Sequence, residues 1–348
     1  MHTEKEKHVL VAALDWGLGH ATRCVPLIRR LQNNGCHVIL ASSGQAKEFF
    51  IRYFPELLVL DKPAYNITYP KNSSMTWSML LQSPSIVRTV IRENFWLKKI
   101  IREHNLGKIY SDNCYGLWNK KIHTVFITHQ IFIKVPFRLK LISSLLNLIV
   151  RTIAEKYNEC HIPDTNDYKN YSGELSHNGR LPRNATYTGI QSRFSGNKNY
   201  RVSEFNDIVL LLSGPEPQRT MLEEKFLHLL PELKMKCCIV RGLPGSEVEK
   251  QNTETLAWHN HLSDDELKGL LKNAKKIICR SGYSTIMDLA ELDLAALLIP
   301  TPGQTEQEYL AIYNSVEKQF SWIKQDSLDV AAIKNSFNNI EDSVLTEL

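Results

Sequence analysis

Residues 277 to 311 read IICRSGYSTIMDLAELDLAALLIPTPGQTEQEYLA, and this stretch decides the fold class. The apolar run Ile277-Ile278-Cys279 has the character of a buried parallel strand. It breaks at Arg280-Ser281-Gly282 and restarts as an amphipathic helix, with Ile286, Leu289, Ala290 and Leu292 at helical spacing. Ser281, Ser284 and Thr285 are small hydroxyl residues suited to a helix N-terminus, where unpaired N–H groups and the positive dipole end attract phosphate. A second buried strand, Ala295 to Pro300, leads through Pro302-Gly303 to Glu306-Gln307 at the head of another helix. One reading is a phosphate cradle beside a carboxylate–amide pair that holds sugar hydroxyls. The other is an ordinary strand–turn–helix unit, and the turn alone does not separate them.

Working outward, 348 residues suggest about two domains. The 43% hydrophobic and 23% charged content is ordinary for a soluble globular protein. A net charge of +5, with no dense Lys/Arg run, argues against a nucleic-acid partner. The N-terminus MHTEKEK mixes both charge signs, so no secretory signal is expected, and no apolar run approaches the roughly 18 residues of a transmembrane segment. Seven scattered cysteines fit reduced thiols in a cytoplasm, and no cysteine–histidine spacing suggests zinc.

The chain opens with a buried strand, His8 to Leu14, then the loop Asp15-Trp16-Gly17-Leu18-Gly19-His20, a helix from Ala21 to Asn33, and a strand from Val38 to Ala41. This implies a parallel sheet. The Gly-x-Gly lacks a third glycine, and no acid ends the second strand, which argues against a dinucleotide-binding dehydrogenase. His20 lies where strand hands over to helix, at the edge where such sheets bind ligands. A general base and a capping or solvated histidine both fit that position. Asp15 is a rival base in the same loop. Asp61 to Ser83 reads as a long polar loop containing Tyr65, Tyr69 and Trp77, followed by a helix from Ile86 to Glu103. A strand near Lys108 to Tyr110 ends in Ser111-Asp112-Asn113, which brings Asp112 to the same edge as His20, either to orient the imidazole or to form a turn. Val125 to Thr128 is the next strand.

Residues 131 to 156 combine fifteen apolar residues with five cations and one acid, Glu155. A core helix with a basic outer face is preferred over a helix lying on an anionic membrane. Residues 1–191 are expected to form the first domain, 192–206 the linker, and 207–348 the second domain, whose last helix is a candidate to pack back on the first. The second domain should carry strands at Ile208 to Leu212, Lys236 to Arg241 and Thr255 to Trp258. Its helices are expected from Arg219 to Leu230 and from Asp264 to Ala274, the latter capped by Ser263. The expected fold is α/β, two Rossmann-like domains with parallel sheets facing across a cleft.

The chain resembles the GT-B nucleotide-sugar glycosyltransferases. The resemblance is strongest to the group containing the peptidoglycan lipid-linked N-acetylglucosaminyltransferase, and more distant to the plant UDP-glycosyltransferases. GLGHATRCVPLIRRLQNNGCHVILAS is similar to the family's N-terminal glycine–histidine loop and helix, RSGYSTIMDLAELDLAALLIP to its C-terminal signature, and EQEYLA stands at its sugar-contact pair. The resemblance implies that Ser281, Gly282 and Ser284 hold the diphosphate, with Arg280 of the same signature among the donor-binding residues. It further implies that Asp288 binds the ribose, that Glu306 and Gln307 bind the donor sugar, and that the backbone at Leu262 reads a base that is usually uracil. Ser213-Gly214 would line the phosphate side, His20 would be the base, and Asp112 would support it. Asp15-Trp16, Pro215-Glu216-Pro217-Gln218 and Glu306 depart from the family pattern and leave acceptor and sugar open. The implied reaction is a single inverting displacement with no metal and no cofactor, the nucleotide-sugar being substrate, and with domain closure hinged near residues 192–206. The implied setting is the cytoplasm or the inner membrane face, with a lipid-linked or membrane-proximal acceptor. The rival functions are a nucleotide-sugar epimerase and a non-catalytic sugar-nucleotide-binding or scaffold subunit.

Overall fold

The computed structural model describes residues 8–65, 75–135, 140–196, 200–201, 206–246, 250–316 and 319–345. The chain divides into two compact units, Met1–Arg193 and Phe194–Leu348.

The first unit is built on a seven-stranded sheet in which all pairings are parallel: β1 (His8–Ala13), β2 (His37–Ser42), β3 (Val59–Asp61), β4 (Lys108–Asp112), β5 (His123–Ile127), β6 (Glu159–Ile162) and β7 (Ala185–Tyr187). Their spatial order is β3-β2-β1-β4-β5-β6-β7, so the order reverses between β1 and β4. Side chains of β1 alternate between two cores. Val9 and Val11 pack with Val25 and Ile28 of α1 (Leu18–Asn33) and Phe49 and Phe50 of α2 (Gly44–Tyr53). Leu10 and Ala12 pack with Leu97 and Ile100 of α3 (Met75–Glu103). Burial on both faces is why the strand reads as a continuous apolar run. The unit also holds α4 (Lys140–Ala154) and the single turn α5 (Glu174–His177).

The second unit has a six-stranded sheet, again with all pairings parallel: β8 (Asn206–Leu211), β9 (Cys237–Val240), β10 (Leu256–His259), β11 (Ala274–Cys279), β12 (Ala296–Leu298) and β13 (Phe320–Trp322). The order is β10-β9-β8-β11-β12-β13, reversing between β8 and β11. Helices α6 (Gln218–Leu233), α7 (Asp264–Lys272), α8 (Tyr283–Leu292), α9 (Thr305–Val316) and α10 (Val330–Leu345) complete it. Ser263 caps α7 in a reciprocal box with Glu266.

Several expectations are corrected. The stretch expected as a loop to Ser83 is helical from Met75, where α3 begins before running through Pro84; residues 66–74, with Tyr69 and Pro70, lie outside the described residues, as do 136–139 of the basic segment. Helix α1 starts at Leu18, which puts His20 in its first turn. Strand β6 was not anticipated. Its sequence ECHI carries Glu159 and His161, and Glu159 is satisfied by His123 Nε2 at 2.7 Å and His161 Nε2 at 2.6 Å. The boundary between the two units, Arg193 to Phe194, falls inside the stretch expected as linker. Arg201 N–H donates to Asp265 O at 3.2 Å, and a Cβ on Gly269 would lie 1.7 Å from Arg201 O. Ile333 and Phe337 of α10 sit in the core of the second unit.

Candidate functional site

In the first unit the site begins where β1 and β4 part. Open parallel sheets bind ligands outside the carboxyl ends of their strands, at the point where strand order reverses. Asp112 is the last residue of β4, and its carbonyl accepts from Leu14 N–H at 3.0 Å, which locks the two strand ends together. The next residue, Asn113, has φ 52. This left-handed turn, tolerated by asparagine, takes the chain away and leaves the Asp112 carboxylate at the edge.

His20 Nδ1 lies 2.7 Å from Asp112 Oδ1, with the His20 side chain 17% exposed and Asp112 buried at 1%. The pairing expected from sequence is therefore present in the geometry. Two further residues were missed. Arg23, one helical turn after His20, grips Asp112 with Nε to Oδ2 and with Nη2 to Oδ1 at 2.6 Å. Its Nη1 lies 2.8 Å from His129 Nδ1. Arg23 and His129 are both buried. Burial alone would push the Asp112 carboxyl up, but Arg23 and the hydrogen bond from His20 outweigh it and hold it below the usual carboxylate range. The three-residue step from His20 to Arg23 on one helix face was the available signal for Arg23; His129 had only its position at a strand end.

Asp15 does not join this group. Its Oδ2 accepts from Ser43 Oγ at 2.8 Å, and Oδ1 is buried without a hydrogen-bond partner. Beside it, Trp16 meets Tyr65 edge-on at 5.9 Å. Tyr65 donates to Glu93 at 2.7 Å, and Glu93 also takes Gly116 N–H at 2.9 Å and pairs with buried Lys62 at 3.3 Å. Burial works against the Lys62 charge, but Cys114, Glu93 and Asp15 outweigh it and hold the ammonium above its ordinary value. An open groove of about 690 Å³ lined by His8, His37 and Asn105 lies at the opposite, amino-terminal edge of this sheet.

The second unit repeats the logic. Ser213-Gly214 follow β8 and Arg280-Ser281-Gly282 follow β11, the two strands at which its order reverses. Gly214 has φ +99, a conformation side chains resist, and a Cβ there would face Thr301 Oγ1 at 4.0 Å. That hydroxyl is buried with no hydrogen-bond partner. Gly282 caps α8 with no side-chain hydrogen bond, so no side chain of the cap spends the first-turn N–H groups. Asp288 is buried on the same helix; Leu262, Ser284 and Glu306 are half-buried.

Three of the residues expected at the donor have side-chain partners within the protein. Arg280 is fully buried and donates to the carbonyls of Gln218 at 2.6 Å and of Ile299 and Pro300 at 3.3 Å. Burial lowers its pKa to about 10. Ser281 Oγ donates to Gln307 O at 2.8 Å, and Gln307 Oε1 accepts from Thr301 N–H at 2.9 Å. These side chains tie the β11 turn, the β12 turn and α9 into one unit and shape the cradle from behind. Among the described residues no group of three acidic, histidine or cysteine side chains is placed to hold a metal ion.

The fold is that of the GT-B glycosyltransferases. Over 97% of this chain, the glycosyltransferase SnogD from Streptomyces nogalater superposes with a TM-score of 0.61 at 13% identity, and MurG of Acinetobacter baumannii with 0.52 at 13%; each match covers 93% of the solved chain. Residues 221–343 match the glycosyltransferase family 28 C-terminal domain. A curated relative from Prochlorococcus marinus, named UDP-N-acetylglucosamine–N-acetylmuramyl-(pentapeptide) pyrophosphoryl-undecaprenol N-acetylglucosamine transferase, is 25% identical over 134 residues. That match spans 38% of this chain and 38% of the relative.

Proposed function

We propose that this GT-B protein transfers a hexose-type sugar from a nucleotide diphosphate sugar, with UDP as the nucleotide, to an acceptor hydroxyl. The observation that carries the reading is that each candidate group occupies the switch point of its own sheet: His20–Asp112 in the first unit, Gly214 and the α8 N-terminus in the second. The family 28 match over the second unit and the UDP-sugar named for the curated relative support the donor class.

In this reading His20 Nδ1–H donates to Asp112, which leaves the Nε2 lone pair to take the acceptor's proton as the oxygen attacks the anomeric carbon. The displacement is single, so configuration inverts. The leaving diphosphate is stabilised by the N–H groups and dipole of α8 and by the backbone at Gly214, with Ser284 beside it and no obligatory metal or cofactor. Asp288 takes the ribose hydroxyls, the Leu262 backbone the base, and Glu306 the sugar. The acceptor is lipid-linked or membrane-proximal, and the protein works at the cytoplasmic face of a membrane in cell-envelope synthesis. That setting is supported by the apolar stripe Val87, Ile91 and Phe95 on α3, exposed at 58%, 52% and 66%, with Arg88 and Arg92 between its members. No helix among the described residues is long and apolar enough to cross a membrane.

The first experiment is a thermal-shift screen with UDP, GDP, dTDP and UDP-sugars. UDP is expected to stabilise the protein, by about 2.7 kcal/mol at a hundredfold excess over its dissociation constant, and Asp288→Ala is expected to abolish the shift. Absence of stabilisation by every nucleotide would overturn the donor assignment. Hydrolysis or transfer assays on His20→Ala then separate an enzyme from a binding subunit, with an expected rate loss of about 100- to 10,000-fold.

A further inference from the structure

The Asp112 carboxylate faces two partners that make opposite demands on His20. Arginine only donates and a carboxylate only accepts. His20 Nδ1 is 2.7 Å from Asp112 Oδ1 and 3.0 Å from Arg23 Nη2. It cannot donate to the first and accept from the second at once. A proton on Nδ1 satisfies the shorter contact and leaves Nε2 as a base. A lone pair on Nδ1 would satisfy Arg23, put the proton on Nε2, and remove the base. Arg23 meanwhile engages both carboxylate oxygens through its planar fork, and its third nitrogen is anchored at 2.8 Å by His129 Nδ1, which as the acceptor carries its own ring proton on Nε2.

We propose that Arg23 is a positioning residue that spends the charge of Asp112, so that the carboxylate orients the His20 imidazole by a hydrogen bond but retains little attraction for an imidazolium. This rests on the reading of His20 as the base. The residue is three positions from His20 on the same helix, so one element carries the base and the group that sets its partner. The charged and titratable neighbours are Asp112 from β4, Arg23 from α1, and His129 beyond β5, acting through Arg23. The Cys24 and Cys114 thiols beside Asp112 are pushed well up by burial and add no charge at neutral pH. Asp15, in the loop before α1, is engaged by Ser43.

The test is an NMR titration of the His20 Cε1–H signal, assigned with His20→Asn, in the full-length protein. In Arg23→Gln the carboxylate charge is left facing His20, and the midpoint should move up by about one pH unit, the size of effect a newly uncompensated charge within about 4–6 Å produces. Arg23→Lys keeps the charge and loses the fork; its midpoint should stay at the wild-type value while turnover falls. Asp112→Asn reads the same balance from the other side, leaves Arg23 facing the ring, and should move the midpoint down, so a poorly folding Arg23→Gln does not remove the test. The acid limb of kcat/KM should follow each titration. An unmoved midpoint in Arg23→Gln or in Asp112→Asn overturns the proposal, as does an equal upward move in Arg23→Lys, which would mark a purely structural disturbance. The titration needs no turnover. Shifted midpoints in a protein without activity would sink the transferase reading alone; an active enzyme with unmoved midpoints would sink this one alone.

Discussion

Arg280 illustrates how a residue inside a recognisable motif can be engaged by the protein's own backbone. Its guanidinium is fully buried and satisfies three backbone carbonyls, that of Gln218 at the head of α6 and those of Ile299 and Pro300 after β12. A buried arginine with a carbonyl cage is a strut, since the cost of desolvating it is met by hydrogen bonds whose loss would strand the acceptors. Arg280→Met should therefore lower unfolding stability by about 2–4 kcal/mol through those carbonyls, measured by urea denaturation. A variant of wild-type stability that binds nucleotide poorly would return Arg280 to the donor contacts. His20 and Asp112 could be singled out from sequence because one opens the helix after β1 and the other ends β4. Arg23 was not singled out, because an arginine inside an amphipathic helix looks like a solvated one until the partner strand is known.

At the scale of elements, α7 owes its seat to a missing side chain. Gly269 allows the Arg201 carbonyl to approach to where a Cβ would be 1.7 Å away. Alanine is favoured over glycine in a helix interior by about 1 kcal/mol, whereas forcing an atom into a packed contact costs about 1–3 kcal/mol. With the contact on backbone rather than on a flexible side chain, the clash should win. Gly269→Ala is expected to be destabilising by about 1–2 kcal/mol, read as a lower urea midpoint. A raised midpoint would mean that the 200–201 segment yields freely. Strand and helix boundaries follow the apolar runs within a few residues at β1 and α7, whereas α3 begins at Met75, well before the expected Ile86. They fail at β6, where Glu159 is paired by His161 on the same strand and by His123 on the neighbouring β5, a cross-strand partner that no local pattern reveals.

At the scale of the whole molecule, the apolar surface of the first unit is distributed in a way the sequence did not disclose. In the segment 131–156 a buried stripe was expected, yet Leu145, Leu148 and Ile149 of α4 are exposed at 58%, 49% and 45%. Helix α3 adds the stripe Val87, Ile91 and Phe95, with Lys98 over the Phe95 ring at 5.0 Å. If this surface meets an anionic membrane, the protein should cosediment with phosphatidylglycerol vesicles, and the double variant Ile91→Glu/Phe95→Glu should lose at least about tenfold in binding, each charge adding a cost on the order of 1 kcal/mol or more, with its thermal midpoint unchanged. Equal binding by wild type and variant would remove this surface from the reading.

The sequence by itself determined the α/β class, the two-domain order, and the strand-end loops at His20, Asp112, Gly214 and Gly282, because apolar runs, glycines and caps act over a few residues. Strand order, β3-β2-β1-β4 in one sheet and β10-β9-β8-β11 in the other, was decided only by the tertiary structure. So were the grip of Arg23 on a carboxylate 89 positions away and the hydrogen bonds of Arg280, Ser281 and Gln307 to neighbouring backbone. The reason is that a buried polar side chain takes whichever partner the packing brings within hydrogen-bond reach, and that partner lies far along the chain.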